Sequence, residues 1–144
     1  MFKYKLYLKN LSSTNIFASN LAKTLKAGDV IHLNGELGSG KTTLARAIIK
    51  TFLPQTNVVS PTFSLLEIYT CPKFDICHFD FYRIKSLQEF NDIGAYEYFD
   101  NYHICLIEWS QRIPSMTNAN INCTLQRQDN LLQLYIECNR KLLI

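Results

Sequence analysis

The stretch VIHLNGELGSGKTTLARAIIKTF, residues 30–52, decides the fold. VIHLN (30–34) is a short apolar run suited to a buried strand, and GELGSGK (35–41) is the loop that follows it. A helix over about 42–52 comes next, with Leu44, Ile48 and Phe52 on one face. The loop Gly35-Glu36-Leu37-Gly38-Ser39-Gly40-Lys41-Thr42 fits the phosphate-binding pattern G-x-x-x-x-G-K-[ST] in full. Glycines let such a loop fold around an anion with its N–H groups pointing inward, and the helix start adds partial positive charge. Lys41 is expected to reach the β- and γ-phosphates of a nucleotide, and the Thr42 hydroxyl to ligate Mg²⁺. The loop backbone from Glu36 through Thr43 is the expected phosphate cradle.

Working outward, YKLYL (4–8) alternates like an edge strand. Ser12 and Ser13 offer a cap for a helix over about 14–26, which Gly28-Asp29 ends. FSLLEIY (63–69), DICHFD (75–80) and HICLIEW (103–109) read as strands. Residues 86–100 hold one or two short helices around Gly94, and Pro114 marks a loop. INCTLQ (121–126) and LLQLYIE (131–137) read as a final antiparallel pair. Strands alternating with helices give a three-layer α/β domain, a single unit over residues 1–144.

Mg²⁺ needs further oxygen ligands and hydrolysis needs a positioned water. In open α/β sheets such groups sit at the carboxyl ends of strands beside the loop strand. Asp80, ending DICHFD, and Glu108, ending HICLIE, fit, and the residues alone leave open which acid does which job. Thr62, in SPTF, lies 20 residues past Thr42, where a switch threonine that senses the γ-phosphate can sit; a plain turn threonine is the alternative. Arg83 suits a phosphate, a partner protein or a structural ion pair. Trp109 suits stacking on a base or, by default, core packing. No N-K-x-D segment for guanine occurs, so adenine is the expected base.

Composition excludes several classes. With 144 residues, 47% apolar and 19% charged, the chain has material for a core and is neither disordered nor fibrous. A net charge of +3 is too mild to indicate direct nucleic-acid binding. No apolar run approaches a membrane span, and MFKYKLYLKN is no secretory signal. Five cysteines without a CxxC do not make a disulfide framework, and His32, His78 and His103 show no zinc spacing. A reducing, cytoplasmic compartment is the expectation.

Four blocks in this order carry a family likeness: LNGELGSGKTTLARAI (33–48), NVVSPTFSLLEIY (57–69), HFDFYRI (78–84) and ICLIEWSQR (104–112). The chain resembles the TsaE (formerly YjeE) family, small bacterial P-loop ATPases of tRNA threonylcarbamoyladenosine (t6A) biosynthesis, over roughly residues 10–112. The resemblance implies a P-loop NTPase-like fold whose sheet is mainly parallel with antiparallel additions. It implies ATP and Mg²⁺ as cofactors, with Lys41 on the phosphates, Thr42 and Glu108 as Mg²⁺ ligands, and Thr62 as the switch. Asp80 becomes the second acid for hydrolysis, acting through a water; Trp109 lies near the nucleotide or the partner surface, and Thr14 near the adenine. Where many members carry a basic residue before the last strand, this chain has Asn130. The implied partners are the TsaB and TsaD subunits that modify adenosine 37, whose turnover the ATP cycle supports. The tRNA is reached only indirectly, and no membrane is involved. A small-molecule kinase and a non-hydrolysing nucleotide-dependent module are the other readings. Against the kinase, only Lys85 and Arg112 are available for a basic lid between 85 and 112.

Overall fold

The computed structural model describes residues 1–113, 115, 116 and 118–144. The loop read at Pro114 lies outside the described residues. Seven strands form one sheet, β1 (Phe2–Leu8), β2 (Val30–Asn34), β3 (Leu66–Thr70), β4 (Asp75–Asp80), β5 (His103–Glu108), β6 (Ile121–Gln128) and β7 (Leu131–Cys138). Their spatial order is β1-β7-β6-β2-β5-β4-β3. The four central strands β6, β2, β5 and β4 are parallel, and antiparallel pairings add β7 and β1 on one side and β3 on the other. The mainly parallel sheet with antiparallel additions is therefore the observed one.

Alternation along the strands feeds two apolar layers. Ile31, Leu33, Ile76, Ile104 and Leu106 face α1 (Leu11–Ala22) and α2 (Lys41–Phe52), whose Phe17, Leu21, Leu44 and Ile48 are buried against them. Val30, Cys77, Phe79, Cys105 and Ile107 face the opposite layer, where α3 (Leu87–Asp92) supplies Phe90 and a 3₁₀ turn at Ala95–Tyr98 supplies Ala95. The central strands are buried on both faces, which is why they read as near-continuous apolar runs. Among the described residues no helix is long and apolar enough to cross a membrane.

The boundaries of α1, β3 and β5 differ from the sequence reading. α1 begins at Leu11, capped by Asn10, whose side chain accepts from the Ser13 N–H at 2.9 Å; Ser12 and Ser13 lie inside the first turn. It ends at Ala22 rather than near residue 26, because the Thr24 hydroxyl donates to the Leu21 carbonyl at 2.7 Å and draws the chain into a turn. β3 begins at Leu66 rather than Phe63. The Leu65 N–H donates to the Pro61 carbonyl at 2.8 Å and Leu65 takes φ 66°, so residues 61–65 make a turn. β5 stops at Glu108, and Trp109, at φ 60°, leaves the strand for a 3₁₀ turn over Ser110–Arg112.

Candidate nucleotide-binding site

The loop between β2 and α2 sits at the carboxyl end of the parallel strands, with Gly40 as the N-cap of α2. Gly35 closes against β6: a Cβ there would stand 2.6 Å from the Leu125 carbonyl oxygen and 2.5 Å from Ser39 Oγ. Lys41 begins α2, yet its ammonium folds back over the loop. Its Nζ donates to the Gly35 and Glu36 carbonyls at 2.6 and 2.7 Å and lies 4.4 Å from the centre of the Trp109 ring. Burial pushes its pKa below the usual lysine value, opposed by the carboxylates of Glu108 and Asp80.

Strand register brings the two acids together. Asp80 and Glu108 are direct neighbours across β4 and β5, and both are buried. Of these two strands only β5 adjoins the loop strand; β4 stands one place further out, so Asp80 lies beyond Glu108 as seen from the loop. Glu108 Oε1 accepts from the Thr42 hydroxyl at 2.8 Å, and its Oε2 lies 2.6 Å from His78 Nε2. Asp80 accepts from the Tyr82 N–H at 3.0 Å and from the Thr62 hydroxyl at 3.4 Å. Burial raises the Asp80 pKa above the usual carboxylate value and Glu108 adds to the rise, while those two hydrogen bonds and His78 oppose it. The turn at 61–65 that shortens β3 is what delivers Thr62 to Asp80.

Thr42, Thr62, Asp80, Glu108 and Lys41 line one cavity of about 270 Å³. Its wall is rich in hydroxyl and carboxylate oxygen, the donor set a hard divalent cation prefers. Among the described residues no cluster of three or more His, Cys, Asp or Glu side chains could hold a metal by itself. The Thr42 hydroxyl and the Asp80 and Glu108 carboxylates on the cavity wall fit Mg²⁺, which usually takes one or two carboxylates and completes its shell with phosphates and water.

The remaining expected residues surround this cavity. Glu36 and Ser39 line a neighbouring hollow of about 700 Å³ between the loop and the β6–β7 hairpin, which shares Leu37 and Gly38 with the first. Thr14 is buried on α1 and lines a pocket of about 160 Å³ together with Asn10, Thr43 and Arg127. Thr43 lines both this pocket and the acid-lined cavity, so the two meet at the start of α2. Trp109 does not fill the core; it packs on the edge of the second apolar layer, half-buried, between Lys41, Tyr82 and Arg112. Arg83 lies over the exposed Phe63 ring at 4.5 Å rather than in the cavity.

Two residues here escaped the sequence reading. Arg127 continues the inward-facing series Ile121, Cys123, Leu125 on β6, and a cation at the end of an apolar alternation was the available signal. It lines both side pockets, three residues before Asn130 at the turn of the β6–β7 hairpin. His78 has no zinc spacing, but it precedes Asp80 by two residues and so shares its face of β4.

A doubly covered sheet, a glycine loop running into a helix and paired acids at the ends of β5 and β4 define a protein of P-loop NTPase-like fold. Comparison with known proteins narrows this. Residues 8–136 match the family model described as "Threonylcarbamoyl adenosine biosynthesis protein TsaE". The chain is 46% identical over 125 residues to the tRNA threonylcarbamoyladenosine biosynthesis protein TsaE of Rickettsia prowazekii, covering 85% of this chain and 86% of that one. It is 36% identical over 129 residues to the protein of the same name from Nostoc sp., covering 87% and 79%. Among solved structures it is similar to Bacillus subtilis YdiB, with TM-score 0.75 and 26% identity over 94% of this chain and 84% of that one. The chain belongs to the TsaE family.

Proposed function

We propose that this protein binds ATP with Mg²⁺, hydrolyses it slowly alone, and supports threonylcarbamoylation of adenosine 37 in tRNA by acting on a TsaB–TsaD pair. The convergence of Lys41, Thr42, Asp80 and Glu108 on one cavity carries the reading. Lys41 exchanges the Gly35 and Glu36 carbonyls for the β- and γ-phosphates, and its burial strengthens that attraction. Backbone N–H groups from Glu36 to Thr43 cradle the phosphates. Thr42 and Glu108 hold Mg²⁺, which neutralises charge on the phosphate oxygens when bound. Asp80, whose raised pKa makes it a better proton acceptor, orients the attacking water. Thr62 reports the γ-phosphate through the turn that joins it to Asp80. Thr14 and Arg127 flank the adenosine end, and Trp109 backs Lys41.

We read the whole chain as one P-loop domain, a nucleotide switch without a large substrate site. A switch that discharged ATP unaided would lose its on-state, hence the slow intrinsic rate. Arg112 lies 5.3 and 5.6 Å from the Tyr82 and Trp109 rings, which favours hydrolysis over a kinase with a basic lid. All five cysteines are free thiols, in keeping with a cytoplasmic setting. The test is multiple-turnover t6A formation in a reconstituted mixture with TsaB, TsaD, threonylcarbamoyl donor and tRNA. Addition of this protein with ATP should sustain turnover, and Lys41→Ala should not. Turnover indifferent to the protein or to Lys41 would overturn the reading.

A further inference from the structure

We propose that His78 is a positioning residue that fixes the Glu108 carboxylate, and through it the cation end of the site; this rests on the reading of Glu108 as an Mg²⁺ ligand. Ile76, His78 and Asp80 alternate onto the same face of β4, so His78 is the step between the apolar layer and the acid pair. It pairs in register with Leu106, which places it diagonally below Glu108. Its side chain is wholly buried, and Nε2 lies 2.6 Å from Glu108 Oε2. Nδ1 has no hydrogen-bond partner among the described residues.

That arrangement is costly for mere packing. A buried polar nitrogen without a partner carries an uncompensated desolvation penalty. A leucine would fill the volume without it. What the imidazole adds is one N–H aimed at one carboxylate oxygen. The terminal torsion of a glutamate is broad and roughly two-fold, so a carboxylate held at a single oxygen can swing. Here Nε2–H takes Oε2 while the Thr42 hydroxyl takes Oε1 at 2.8 Å, and the plane is set from both ends. Without His78, Oε2 would be left in a buried site beside Asp80 and Lys41, and the carboxylate would turn towards the ammonium. Outer partners of this kind typically change metal affinity by about 10–100-fold when removed.

The experiment compares wild type, His78→Leu and His78→Gln. The glutamine amide nitrogen can reach the position of Nε2 and donate; leucine cannot. Binding of a fluorescent ATP analogue is measured in EDTA and across an Mg²⁺ titration, with apo melting curves alongside. In EDTA all three proteins should bind within about threefold of one another. His78→Leu should need about tenfold more Mg²⁺ to reach full affinity, and His78→Gln should recover to within about threefold. In a Glu108→Ala background, His78→Leu should leave the Mg²⁺ response unchanged, because the two residues act in series. Equal Mg²⁺ responses of wild type and His78→Leu, equal losses in the Leu and Gln variants, or additive effects with Glu108→Ala would each overturn the proposal. If nucleotide binding by the wild type ignored Mg²⁺ altogether, the reading of Glu108 would fail first, and this inference with it.

Discussion

Gly35→Ala places a methyl group where the structure has no room. The new Cβ would meet the Leu125 carbonyl oxygen at 2.6 Å and Ser39 Oγ at 2.5 Å, and Gly35 holds φ 149°. Ser39 can rotate away, but Leu125 is backbone in β6, one of the strands paired to the loop strand. Backbone strain at such a conformation costs about 1–3 kcal/mol, and overpacking adds about 1–3 kcal/mol. The sum, about 2–6 kcal/mol, lowers Tm by roughly 6–18 °C at about 3 °C per kcal/mol for a chain of this size. Gly38→Ala is the internal control. It too has positive φ, 78°, but an added Cβ meets nothing within 4 Å, so only the strain remains and the loss is about 1–3 kcal/mol. Melting curves and ATP binding for both variants test this. Gly35→Ala should melt well below Gly38→Ala and lose nucleotide affinity as the loop moves off β6. Gly35→Ala melting within 2 °C of wild type, by the roughly 3 °C per kcal/mol scale, would refute the steric argument.

Arg140→Ala removes the guanidinium that donates to Asp29 at 2.9 Å and to the Thr24 carbonyl at 3.0 Å, leaving Asp29 buried. Because Arg140 is a quarter exposed, the cost is about 2–4 kcal/mol rather than the upper range for a buried pair, read as a fall in urea midpoint. Asp80→Asn should abolish phosphate release yet raise Tm at pH 8. The folded-state pKa of Asp80 lies above its ordinary value of 3.8, so its stabilising contribution is full below that value and lost as pH rises through the folded pKa. The amide escapes that loss, and the gain in Tm should vanish on acidification towards pH 4. Arg127→Ala, an exposed change, should weaken ATP binding by about tenfold, equivalent to about 1.4 kcal/mol, with Tm unchanged.

Local sequence was sufficient where one period dominates. VIHLN and DICHFD are the observed β2 and β4 residue for residue, because a doubly buried strand is a plain apolar run between turns. It was insufficient where side chains compete with the backbone. Asn10 outcompetes Ser12 and Ser13 as the cap of α1, and the Pro61–Leu65 turn takes three residues from a segment whose composition reads as strand throughout. Asp80 and Glu108 could be named as strand-end acids, but their side-by-side register is a pairing between residues 28 apart and has no local signature. Trp109 shows the same limit. Its turn away from the strand end, at φ 60°, depends on contacts with Lys41 and Tyr82 that come from two other parts of the chain. Arg127 sits in a strand that looks like ordinary edge filling until the hairpin is laid beside the loop.

The most direct test of the account is free-phosphate release from Mg-ATP by the wild type and Lys41→Ala, each alone and with the TsaB–TsaD pair. The account predicts slow release by the wild type, clear acceleration by the pair, and loss of both in the variant. Equal release in all four mixtures would contradict it.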